Sequence, residues 1–130
     1  MKLTCEEIIR ETVDFYGQDP TARRSMDGDG CLFQHNDGRR CSVGRCMTKD
    51  GIKQVLSENA NGDGCELEEP LDKYLKKRYR GKPLEFWDNL QNLHDMPDNW
   101  DAQGLTDKGR AFLEWIRDRT RTINKHENRH

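Results

Sequence analysis

The chain reads as an α+β fold: one small β-hairpin packed against three to five helices in a single domain. Three observations predict this. Apolar residues recur at helical spacing in several capped segments. A glycine-containing turn separates two short strand-like stretches in the first third. The length, 130 residues, suits one domain with one modest core. Hydrophobic residues make up 32 % and charged residues 35 %, so that core must be compact and the surface densely charged.

Taking the elements in order, Thr4 and Glu7 have the spacing of a capping box, in which each side chain satisfies an orphan amide of the first turn. Leu3 and Ile8 are spaced as a hydrophobic staple. Ile8, Ile9, Val13 and Tyr16 then form one apolar stripe, with Gly17 as the stop and Asp19-Pro20 as the break. Thr21 to Met26 fits either a short helix or the approach to a strand. Asp27-Gly28-Asp29-Gly30 is a turn. Cys31 to Gln34 and Arg39 to Val43 read as the two strands, joined around Asn36-Asp37-Gly38. An odd loop length puts Cys31, Phe33, Cys41 and Val43 on one face, and this register collects the apolar side chains.

Gly44 to Met47 starts a short helical turn, and Asp50 to Leu56 a second one. Asn59 to Gly64 is a loop. Pro70 suits a first helical position, with Leu71, Tyr74, Leu75 and Tyr79 following at helical spacing up to Gly81. Pro83 opens the next helix, whose Leu84, Trp87, Leu90 and Leu93 keep to one face until His94-Asp95-Met96-Pro97. Asp98 to Gly104 is a loop carrying Trp100. Thr106 caps the last helix, with Phe112, Trp115, Ile116 and Ile123 as its buried stripe. Its later turns are basic (Arg117, Arg119, Arg121, Lys125), which complements the helix dipole. Trp87, Trp115, Phe33 and Phe112 are the expected aromatic core. The domain spans 1–125, and 126–130 is an apolar-free, frayed tail.

Composition narrows the function classes. With 22 basic and 24 acidic residues, the net charge of -2 argues against a generic nucleic-acid binder but leaves room for a local basic patch. No apolar run resembles a signal peptide or a membrane span, so the expected location is cytoplasmic. Five cysteines, an odd count without an export signal, read as thiols rather than a disulfide framework.

Two blocks of residues carry a resemblance. Gly30, Cys31, Phe33, Asp37, Gly38, Cys41, Val43 and Gly44 form a Gly-Cys, aromatic, Asp-Gly, Cys-x-Val-Gly pattern. Leu90, Gln91, Leu93, His94 and Asp95, followed by Trp100, form a second. Together they resemble an uncharacterised family of small bacterial and phage proteins. That resemblance implies a bacterial or phage accessory protein and implies no particular activity.

Four constellations are candidates for chemistry. Cys31, His35, Cys41 and Cys46 are zinc-type ligands, but their Cys-x9-Cys and Cys-x4-Cys spacings lack the close pair of a structural zinc site. The competing reading makes Cys31 and Cys41 small core residues. Asn59 to Gly64 matches only the first half of a calcium loop, because Pro70 stands where a bidentate Glu belongs. His94-Asp95 has too few partner ligands for a phosphohydrolase centre and reads better as a helix C-terminal cap. Lys73, Lys76, Lys77, Arg78, Arg80 and Lys82 surround Tyr74 and Tyr79 on a basic helix, a pattern suited to phosphates or a nucleobase. Trp100, with Arg39 and Arg40, is the candidate contact surface. The alternative for Trp100 is packing back onto the helix that ends at His94.

No phosphate loop, nucleophile elbow or catalytic carboxylate pair is apparent, so no catalytic residue and no cofactor are expected. The leading expectation is a non-enzymatic protein that binds a host protein. The alternatives are sequestration of a nucleotide or nucleic acid by the basic segment, and a zinc-stabilised or metal-dependent protein. The oligomeric state is not encoded in any of these patterns.

Overall fold

A computed structural model describes residues 2–18, 26–27, 30–31, 40–58 and 71–127, with the side chains of 26–31, 58 and 123–127 left aside. Its α-helices are α1 (Cys5–Gln18), α2 (Lys49–Glu58), α3 (Leu84–Asp95) and α4 (Asp107–Glu127). Two antiparallel ribbons of two residues per strand accompany them. In one, β1 (Met26–Asp27) pairs with β2 (Gly30–Cys31). In the other, β3 (Trp100–Asp101) pairs with β4 (Gly104–Leu105). Short 3-10 turns at Gly44–Cys46, Leu71–Tyr74, Lys77–Tyr79 and Pro97–Asn99 fill the connections. The fold is α+β, dominated by helix.

The N-terminal cap forms as its sequence dictates. Thr4 N–H donates to Glu7 Oε1 at 3.0 Å, and Glu7 N–H donates to Thr4 Oγ1 at 3.1 Å. Ile8, Ile9 and Tyr16 are fully buried along one face of α1. On α3, Phe86, Trp87, Leu90 and Leu93 are fully buried. Cys41, Val43, Cys46, Met47, Leu75, Tyr79 and Ile116 complete the centre of the core.

Helices α2 and α4 begin with the same device. Thr48 N–H donates to Tyr74 O at 2.9 Å, and Gly51 N–H donates to Thr48 Oγ1 at 2.8 Å. Thr106 N–H donates to Asn99 O at 2.9 Å, and Gly109 N–H donates to Thr106 Oγ1 at 3.1 Å. In both cases the accepting carbonyl crowds the glycine, and a Cβ at Gly51 or Gly109 would collide with Tyr74 O or Asn99 O. The third helical residue is therefore glycine in each, despite the poor helix propensity of that residue.

Several expectations are corrected. Cys41 to Val43 is not a strand. Arg45 N–H donates to Cys41 O and Cys46 N–H to Val43 O, both at 2.9 Å, which turns the chain. The ribbon that does form nearby pairs Met26 with Cys31 and Asp27 with Gly30. Asn36-Asp37-Gly38, Phe33 and Asn59 to Gly64 lie outside the described residues.

Residues 71–79 are not one helix. Met47 pairs with Leu75 as an isolated antiparallel bridge, and Lys76 N–H donates to Cys46 O at 2.9 Å. Those cross-chain bonds take backbone groups that a continuous helix needs, so the segment divides into two 3-10 turns.

Trp115 is 51 % exposed and is not a core aromatic. The buried positions of α4 are Gly109, Leu113, Ile116 and Thr120, a stripe that runs one position away from the indole. Phe112 is half-buried against the core. Helix α4 runs through Glu127.

Candidate functional site

The basic segment is held from both sides. Leu75 is bridged to Met47, while Leu3 N–H donates to Arg78 O at 2.8 Å on the opposite flank. At its end, Gly81 has a positive φ of 88°, and its N–H donates to the Asp72 carboxylate at 3.2 Å. These constraints turn Leu71, Tyr74, Leu75 and Tyr79 inward. Lys73, Lys77 and Arg78 are left exposed, with Lys76, Arg80 and Lys82 half-buried. The cations thus ride on turns rather than on a helix face.

Two of them also serve the fold. Arg80 Nε–H donates to Leu75 O at 3.0 Å, and Arg78 Nη2–H donates to the Tyr79 hydroxyl at 3.2 Å. Even so, no direct ion pair engages Lys76, Lys77, Arg78, Arg80 or Lys82 among the described residues. The arginines of α4 differ sharply. Arg110 pairs with Asp107, Arg117 with Glu114 at 2.7 Å, Arg119 with Glu85 at 2.5 Å and Arg121 with Asp118 at 3.0 Å.

Beneath the basic turns lies a polar cluster that sequence reasoning missed. Arg45 Nη1–H donates to Glu11 Oε1 at 2.6 Å, and Nη2–H donates to Thr12 Oγ1 at 3.1 Å. The Tyr79 hydroxyl donates to the same Glu11 oxygen. Burial opposes the Arg45 charge, but the Glu11 carboxylate bonded to it outweighs that, and the guanidinium stays charged. Burial and the Glu11 bond raise the Tyr79 phenol above its ordinary value, keeping it a donor. The available signal was an arginine placed inside the apolar run Val43-Gly44-Arg45-Cys46-Met47.

The two motif blocks meet directly. Gln91 Oε1 accepts the Ser42 hydroxyl at 2.9 Å and Val43 N–H at 3.3 Å. Gln91 Nε2–H donates to Asp95 Oδ1 at 3.3 Å, and the same oxygen lies 2.7 Å from His94 Nδ1. His94 is fully buried, edge-on to Tyr16 with ring centroids 4.9 Å apart. It is a packed core histidine, not a capping group at the helix end. That chain of side chains joins the turn at Ser42 to α3, and the buried atoms it uses are committed to one another.

The remaining candidates fall as follows. Trp100 is 6 % exposed, and its indole N–H donates to Leu93 O at 2.8 Å, so it packs on α3 and does not form a contact surface. Arg40 is half-buried, and its carbonyl accepts the Tyr16 hydroxyl at 2.6 Å. Arg39 and His35 lie outside the described residues, as does the Cys31 side chain. Cys41 and Cys46 are fully buried, and burial pushes the Cys46 thiol up to about 12 despite the adjacent Arg45. Among the described residues no group of three His, Cys, Asp or Glu side chains is placed to hold a metal. None of the described helices is long and apolar enough to cross a membrane.

No protein-family model, curated protein or solved structure matches the chain.

Proposed function

We propose that the chain is a non-enzymatic binding protein whose contact surface is the basic 73–82 segment, and that its partner is a host protein with an acidic face. The observation that carries this reading is the contrast in charge compensation. Among the described residues, Lys76, Lys77, Arg78, Arg80 and Lys82 have no direct ion pair, whereas the arginines of α4 are matched by neighbouring carboxylates. A run of like charges without direct ion pairs favours an opposite charge from outside. The resemblance noted in the sequence adds the expectation of a cytoplasmic bacterial or phage accessory protein.

A nucleotide or nucleic-acid ligand is the second reading, since the same cations suit phosphates. Burial weighs against it. Tyr74 is 7 % exposed and Tyr79 is fully buried, so neither ring offers a face on which a base can stack. The zinc reading has the least support, because Cys46 is a buried, protonated thiol.

Affinity capture from bacterial lysate, with the captured protein identified by mass spectrometry, tests the proposal. Wild type is expected to retain one stoichiometric acidic protein, and the doubly reversed variant Lys77→Glu, Lys82→Glu to lose it while keeping a native circular-dichroism melt. Equal capture by both chains would sink the basic surface. Loss of capture after nuclease treatment would replace the protein partner with nucleic acid.

A further inference from the structure

Helix α4 carries a second regular stripe, on the side away from its buried one. Lys108, Ala111, Trp115 and Asp118 follow one another at steps of three, four and three, so they lie in line along the helix. All four are exposed. Trp115, at 51 %, is the most exposed large apolar residue among those described. Phe112 lies beside it with ring centroids 5.7 Å apart, so the two rings form one apolar patch. Opposite charges bound that patch. The Lys108 side chain, 63 % exposed, stands at one end, and the Asp118 side chain, 74 % exposed, at the other.

The order of these residues says what fits the stripe. Lys108 and Asp118 lie five residues to either side of Leu113, and Ala111 and Trp115 two residues to either side. The stripe is therefore complementary to its own reverse. A second α4 laid antiparallel, with a two-fold axis at the level of Leu113, sets Lys108 against the partner's Asp118 and Ala111 against the partner's Trp115. Symmetry makes each contact occur twice. The charged ends attract, and the small alanine leaves room for the indole. A parallel copy would set lysine on lysine and aspartate on aspartate.

Bonds within the chain leave both charges available. Lys108 gives one of its three N–H donors to Asp98 at 3.2 Å, and Asp118 takes Arg121 through Oδ1 at 3.0 Å. Exposed pairs of this kind are weak and can be shared. Glu114, close to the axis, is already neutralised by Arg117 at 2.7 Å.

We propose that this face of α4 is a homodimer interface, over which a second copy of the chain packs antiparallel on Trp115. From Lys108 to Asp118 the helix rises about 15 Å, so the contact is smaller than a standard interface and the dimer dissociates in the micromolar range or above. The basic 73–82 segment takes no part in it.

Sedimentation velocity of the full chain from about 1 μM to about 1 mM covers that range. A monomer–dimer equilibrium is expected, and Trp115→Glu should abolish it. Lys108→Asp and Asp118→Lys should each weaken the dimer about tenfold or more, because each sets like charges together at both contacts. Mixed in equal amounts, these two variants should associate as wild type does, since opposite charges then meet at both contacts. Native circular-dichroism melts of all three variants accompany the measurement. A wild-type chain that stays monomeric throughout would leave the aromatic patch to a different protein or to a lipid surface and would overturn the proposal. So would any of the three variants dimerising as wild type does, or a mixture that associates no better than its separate components.

Discussion

Arg45 Nη1 and Glu11 Oε1 stand 2.6 Å apart across 34 positions of sequence, with the arginine side chain only 13 % exposed. The pair fastens α1 to the turn that follows Val43. It also fixes a pH dependence. Burial pushes the Glu11 carboxyl up, but hydrogen bonds from Tyr79 and Arg45 outweigh it and hold it below its ordinary 4.5. Because the folded value is the lower one, the unfolded chain binds the proton first on acidification. The stabilisation is complete above about 4.5 and disappears as the pH falls through the lower, folded value. Urea melts between pH 7 and 3 should show this loss, and Glu11→Gln should flatten the slope over that window. An unchanged slope would remove Glu11 from the account.

Gln91 is expected to matter more than its polarity suggests. Gln91→Leu keeps the volume but strands Val43 N–H inside the core, while the Ser42 hydroxyl loses Gln91 Oε1 and keeps Leu90 O at 3.2 Å. One buried amide without a partner should cost about 1–3 kcal/mol. Ser42→Ala removes the other group held by Gln91 Oε1, so the Leu substitution should cost less in the Ser42→Ala background than in wild type. A double-mutant cycle from chemical denaturation reads that coupling, and simple additivity would contradict the network.

Trp100 separates packing from hydrogen bonding. Trp100→Phe retains most of the buried ring and loses the N–H bond to Leu93 O, for a cost of about 1 kcal/mol. Trp100→Ala empties the site and should cost about 3–5 kcal/mol. Thermal melts of both variants would show the order, and a Trp100→Ala protein as stable as wild type would return the indole to the surface.

Alanine at Gly51 or Gly109 should destabilise, although helix propensity alone predicts a gain of roughly 1 kcal/mol. The added methyl collides with Tyr74 O or Asn99 O, and the Thr48 and Thr106 caps must shift to admit it. Opposite signs from two mechanisms make the melting temperature decisive. A rise in either variant would show that the close approach is not required.

Local signals were legible from residue order and long-range ones were not. The capping box at Thr4 and Glu7, the apolar face of α3 and the Thr106 cap depend on neighbours three or four positions apart, and all formed as read. The 71–79 segment has equally good helical spacing, yet Met47 is 28 positions from Leu75 and redirects it. Trp115 misled because its size suggested burial, whereas the face of α4 is set by Gly109, Leu113, Ile116 and Thr120. The basic segment was identifiable from composition, but which cations would be paired among the described residues was not, since that depends on where Glu85, Glu114 and Asp118 point.

Helix α1 is made before every residue that anchors it. Its polar anchors are Arg40, Arg45, Tyr79 and Arg117, between 24 and 111 positions downstream. During synthesis α1 therefore waits, with Ile8, Ile9 and Tyr16 lacking the surfaces that later cover them. Arg117 reaches Glu6 only once α4 has emerged. Premature termination before α4 would thus release a product in which the apolar face of α1 is incompletely covered, a ready substrate for chaperones and proteases.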